Sequence, residues 1–246
     1  MRVFRLVAFI LTVVVAVAHG QSRQTDTGFL DRDVVLAGVI YRFQVYVPAE
    51  YTPTKAWPVL VDLHGNGAQG DDGIRQTAHF LADQVRLHRS RFPLIAVFPQ
   101  AAGRMTWDAP AMQGMVIAEI DKTLTEFHGD PQRVYLSGFS MGGAGVYEIA
   151  ARWPERFAAL VAISGFVPTD HADVVRRIRH IPLRIFQGAT DERVSVNGAR
   201  QLAAELKQAN APVEYFEYPD TRHGPTAEKT YADASLIEWL LSQRRN

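Results

Sequence analysis

Three residues far apart in the chain have the types and order needed for nucleophilic attack on a carbonyl carbon. Ser140 stands in Gly138-Phe139-Ser140-Met141-Gly142, directly after the apolar run from Arg133 to Leu136. A serine hydroxyl is a weak nucleophile until a base takes its proton and a carboxylate holds that base in place. Both partners follow downstream: Asp191 after Ile185-Phe186-Gln187-Gly188-Ala189-Thr190, then His223 after Tyr215-Phe216-Glu217-Tyr218-Pro219-Asp220-Thr221-Arg222. Of the eight histidines, His223 alone lies on a loop after the last strand pattern and before the last helix. Asp191 is favoured as the acid over its neighbour Glu192, which is one residue farther from the strand end. It is favoured over Asp220 too, which would have to turn back along its own short loop.

Such chemistry needs more than a triad. A strand running straight into a helix forces a sharp turn at the serine, and Gly138, Gly142 and Gly143 remove side chains that would clash across it. The start of the helix also places N–H groups and a positive dipole end beside Ser140. An oxyanion would be held by two backbone donors: the N–H of Met141 and, from His64-Gly65-Asn66-Gly67, the N–H of Asn66. His64 reads as a scaffold residue. Trp107 reads either as an apolar wall for the acyl or alcohol part or as a residue packed on the scaffold. Asp62, inside an apolar strand, needs a polar partner near the loop and is given no function.

The positioning elements follow from periodicity. Val34 to Leu36 and Val39 to Val47 form a hairpin after a polar, loose stretch at 21–31; strands follow at Trp57 to Leu63, Leu94 to Phe98 and Arg133 to Leu136. Further strands run over Ala159–Ile163, Leu183–Gln187 and Val213–Tyr218. Helices are expected over 74–88, 115–127, 141–152, 172–179, 195–208 and 232–242. Strict alternation of helices with short apolar strands implies an α/β fold, a mostly parallel central sheet with helices on both faces. The short connection between the strands at Ala159 and Leu183 leaves no room for a large cap domain.

Composition narrows the function. Lysine plus arginine equal aspartate plus glutamate at 26 each, so no net field favours nucleic acid or an anionic membrane. There is no cysteine, which excludes disulfides and thiolate chemistry. At the N-terminus, Arg2 and Arg5 precede the apolar run Leu6 to Ala18, and Ala18-His19-Gly20 has the small residues of a cleavage site. The run is short of the roughly 20 residues that span a bilayer. Residues 1–20 are therefore expected to be a signal peptide and 21–246 a single catalytic domain. The product would be periplasmic or secreted, with no stable membrane insertion after cleavage.

The residues resemble secreted single-domain esterases of the α/β-hydrolase superfamily: feruloyl-esterase-like and polyhydroxybutyrate-depolymerase-like proteins and the related "predicted peptidase" branch. The resemblance rests on Tyr41 to Pro48, His64-Gly65-Asn66-Gly67, Gly138 to Gly143, Trp153-Pro154-Glu155-Arg156-Phe157-Ala158-Ala159, Gly188-Ala189-Thr190-Asp191 and His223-Gly224. It implies hydrolysis of small or polymer-attached carboxylic esters by Ser140, Asp191 and His223, with no cofactor and no metal. A serine peptidase of the same fold and a catalytically silent binding protein stand as the alternatives.

Overall fold

In the computed structural model, which describes residues 26–167 and 171–245, eight strands form one sheet in the order β1-β2-β4-β3-β5-β6-β7-β8. The strands are β1 (Gly28–Leu36), β2 (Val39–Val47), β3 (Trp57–Leu63), β4 (Ile95–Phe98), β5 (Gly129–Phe139), β6 (Ala159–Ile163), β7 (Leu183–Gly188) and β8 (Val213–Tyr218). β2 is antiparallel to both β1 and β4, and every other pairing is parallel. The interleaved helices are α1 (Leu81–Leu87), α2 (Pro110–Glu126), α3 (Met141–Arg152), α4 (His171–Ile178), α5 (Val196–Gln208), α6 (His223–Ala232) and α7 (Ala234–Ser242). This is the α/β-hydrolase arrangement, with no large insertion. The expected signal peptide lies outside the described residues.

The strand period sorts side chains onto two faces. Val59, Val61, Leu63, Val134 and Leu136 join one apolar cluster with α2, α3, α4 and α5. Leu60, Tyr135 and Phe139 point the other way, into a second cluster with α1, α6 and α7. All seven residues of β3 and all five of β6 are buried, as expected of parallel strands covered on both sides. The edge strand β8 instead alternates half-buried and exposed positions over Val213–Glu217.

Several expectations are corrected. Gly28 to Asp31, expected in a loose leader, belong to β1. Charged residues suit this edge strand because they find partners there: Arg32 pairs with Glu126 at 2.6 Å, and Asp31 accepts from Gln44. The helix expected over 74–88 is broken into a 3-10 turn at Arg75–Thr77 and α1, because Phe80 takes φ 57°. Its ring packs edge-on against Phe139, with centroids 4.8 Å apart. α2 starts earlier than expected, with Pro110 in its first turn, where a missing N–H costs nothing. β5 extends beyond 133–136 at both ends. Finally, His223 is not on a loop but opens α6, an element absent from the expectations. His223-Gly224-Pro225 reads as helix-breaking, yet a first turn tolerates both glycine and proline.

Candidate active site

Ser140 sits between β5 and α3 at φ 57°, ψ −115°, a conformation costly for any residue with a Cβ. Its N–H donates to the Ile163 carbonyl at 2.8 Å, which ties the turn to β6. The expected glycine requirement is met at two close approaches. A Cβ on Gly138 would lie 2.3 Å from the Gly142 oxygen, and one on Gly142 only 1.8 Å from the Leu63 oxygen.

The structure brings Ser140, His223 and Asp191 into one hydrogen-bonded chain. Ser140 Oγ lies 2.9 Å from His223 Nε2, and His223 Nδ1 lies 2.8 Å from Asp191 Oδ2. A carboxylate only accepts, so Nδ1 carries the proton and Nε2 is left to accept from the serine hydroxyl. The Asp191 side chain is fully covered. Its Oδ1 accepts from the N–H groups of Arg193 and Val194, both at 2.9 Å, and Gln187 donates to Oδ2 at 2.9 Å. Burial acts to raise this carboxyl, but His223 and the backbone donors outweigh it and hold it below the usual range. The loops bearing acid and base are stitched together: Ala189 N–H donates to Tyr218 O, and Thr190 N–H to Thr221 O. Neither rival carboxylate takes Asp191's place. Glu192 accepts from Arg222 and from the His223 backbone N–H, and Asp220 is exposed.

The loop after β3 passes directly over the serine: a Cβ on Gly65 would stand 3.1 Å from the Phe139 ring and 3.4 Å from Ser140 Cβ. His64 is the scaffold expected. Its Nε2 accepts the Ala101 N–H at 3.0 Å, its Nδ1 bonds the Gly65 carbonyl at 2.8 Å, and its own carbonyl accepts from Trp107 Nε1 at 3.0 Å. Burial lowers the imidazole to about 4, against the Gly65 contact that raises it, so the ring is neutral. Asn66 is exposed beside this scaffold. Met141 opens α3, where the N–H groups have no partner within the helix. Trp107 is packed on the scaffold, buried and bonded to the His64 carbonyl, and it also lines a cavity.

Two cavities flank Ser140. One, of about 370 Å³, runs between residues 64–68 and 75–80 and is lined by Phe139, the residue before the serine. The other, of about 450 Å³, is lined by Trp107, Phe166 and Met141, the residue after it. Asn66 borders both. Asp62, to which no function was given, lines the first cavity and does have polar partners there: Ser137 at 2.6 Å and Tyr231 at 2.5 Å. Among the described residues no group of three or more histidines or carboxylates could hold a metal ion, and no helix is long and apolar enough to cross a membrane.

The sequence pattern described as the dienelactone hydrolase family matches residues 99–238, more than half of the chain and a span that contains Ser140, Asp191 and His223. The chain belongs to that family. A bifunctional acetylxylan esterase/xylanase of Neocallimastix patriciarum is 32% identical over 201 residues, covering 79% of this chain but only 27% of that protein. Among solved structures, a thermostable esterase superposes with a TM-score of 0.78 at 30% identity, over 88% of this chain and 63% of its own. The feruloyl esterase module of Clostridium thermocellum, in complex with sinapinate, gives 0.66 at 15% identity over 85% and 86%, a likeness of fold. This dienelactone hydrolase family member thus spans less than a third of the length of that esterase/xylanase.

Proposed function

We propose that the protein is a serine esterase that hydrolyses carboxylic esters through an acyl-enzyme. The single observation that carries this reading is the unbroken hydrogen-bond chain from Ser140 Oγ through His223 to a buried, ionised Asp191. His223 Nε2 takes the hydroxyl proton as Oγ bonds to the acyl carbon. The N–H groups of Asn66 and Met141 receive the developing oxyanion. Collapse expels the alcohol with the proton from Nε2, leaving the acyl group on Oγ. Water then attacks the acyl carbon, gives its proton to Nε2, and releases the acid with Ser140 restored. Asp191 steadies the imidazolium and does not itself take the proton.

Acetyl or feruloyl esters of plant polysaccharide are the substrates favoured, by analogy with the xylan-directed relative and the feruloyl esterase neighbour. Two flanking cavities, open at the sheet edge and not roofed by a cap, suit an ester held on a polymer. Export belongs to the same reading, since such polymers lie outside the cell; the exported chain should begin at Gln21. A fluorophosphonate probe tests the chemistry. The native protein should be labelled, Ser140→Ala should not, and parallel assays should rank ester above aminoacyl-amide substrates. A folded native protein that stays unlabelled would support the silent binding protein instead.

A further inference from the structure

The 370 Å³ cavity carries polar groups for which the triad has no use. Asp62 is 9% exposed and lines it. The Ser137 and Tyr231 hydroxyls both donate to Oδ1, while among the described residues Oδ2 has no hydrogen-bond partner. Gln76, 6% exposed, lines the same cavity, and among the described residues neither its Nε2 nor its Oε1 finds a partner. Both amide atoms are covered, so an occupant of the cavity meets them when the Gln76 side chain turns toward the space it lines. Ala78, Phe80 and Phe139 supply apolar wall. Unpaired buried amides are rare in folded proteins and call for a partner.

The cavity's position says which half of an ester would enter. The Phe139 ring lines it and packs on the His223 imidazole, with centroids 4.6 Å apart. His223 hands its proton to the leaving oxygen, so the alcohol lies on the imidazole side of Ser140. The cavity beside Met141 is left for the acyl group.

We propose that the 370 Å³ cavity is a subsite for a leaving alcohol that bears further hydroxyl groups, a sugar or other polyol unit, read by Asp62 and Gln76. A hydroxyl is donor and acceptor at once. It donates to Asp62 Oδ2 or Gln76 Oε1 and accepts from Gln76 Nε2. A carboxylate offers no proton to Oδ2, an ammonium offers no lone pair to Nε2, and an alkyl group leaves both residues unpaired. The rings of Phe80 and Phe139 suit the C–H face of a sugar. This assignment rests on the esterase reading and names its alcohol.

The test holds the acid constant and varies the alcohol. kcat/KM is measured for an acetylated xylo-oligosaccharide and for cyclohexyl acetate, and the preference is their ratio. Gln76→Leu, which keeps the volume, should lower that ratio about five- to tenfold, the worth of one neutral hydrogen bond, and Asp62→Asn, which keeps an acceptor for Ser137 and Tyr231 but turns Oδ2 into a donor, should lower it as well. A ratio unchanged in the folded variants would overturn the subsite. So would a change in discrimination among acyl groups at constant alcohol. If Asp62→Asn does not fold, Gln76→Leu decides alone. A native protein inactive on both esters and unlabelled by fluorophosphonate would instead overturn the esterase reading beneath it.

Discussion

Asp191 fixes which nitrogen of His223 carries the proton, so replacing it by asparagine should leave the ring in place but in the wrong tautomer. Asp191→Asn should lower kcat by about 10⁴-fold, and the rate of fluorophosphonate labelling should fall with it. Ser140→Ala should lower turnover roughly a millionfold, as expected where the triad acts as a unit. Its melting temperature should stay near the native one, since the change removes one hydroxyl. His64 gives a residue-level pH effect. Its folded-state value of about 4 lies below that of a free imidazole, so between those limits the unfolded chain binds the additional proton. Stability therefore declines as pH falls from about 6.5 towards 4. Thermal melts across that window should show the decline, and it should be shallower in His64→Gln.

At the scale of elements, the closest contact is between the first turn of α3 and the end of β3. A methyl on Gly142 would sit 1.8 Å from the Leu63 oxygen, with only backbone there to give way. Gly142→Ala should yield little folded protein, measured as soluble monomer by gel filtration. α2 carries the opposite kind of feature. Glu119 is fully buried, neither of its carboxyl oxygens has a partner among the described residues, and burial pushes its carboxyl well above the usual range. That group favours the fold below its unfolded value and loses this as pH rises towards its folded one. Glu119→Met should therefore stabilise at pH 8, raising the melting temperature by roughly 2–4 °C for each kcal/mol gained. The triad was legible in the sequence because glycines around Ser140 and strand ends before Asp191 and His223 are local signals. The break at Phe80 was not, because what holds it is the Phe139 ring, some sixty positions away. Nor was α6 legible, since helix-breaking residues at a helix start look the same as a loop. Asp62 showed as an apolar-strand oddity, but its partners and the unpaired amide of Gln76 are products of packing.

For the molecule as a whole, order and direction of the strands decide the site. β3, β5, β7 and β8 run parallel and deliver the Asn66 loop, Ser140, Asp191 and the His223 helix to one edge of the sheet, the edge where ligands bind in open α/β folds. β1 and β2 form one lateral margin of the sheet, across from β8, and lend no triad residue. That division was readable from alternation alone, whereas the two cavities depend on loop shapes that periodicity does not encode.

α6 makes the base part of a helix and not of a loop. His223 is its first residue, and about two turns on Tyr231 is moored to Asp62 beneath the sheet edge. The helix lies outside the sheet's hydrogen-bond ladder, so warming can unseat it while the strands still hold. Heat inactivation would then come before global melting, with activity vanishing at temperatures where circular dichroism still reports native structure. Weakening the mooring, as in Tyr231→Phe, should widen that gap and make this helix the enzyme's fuse.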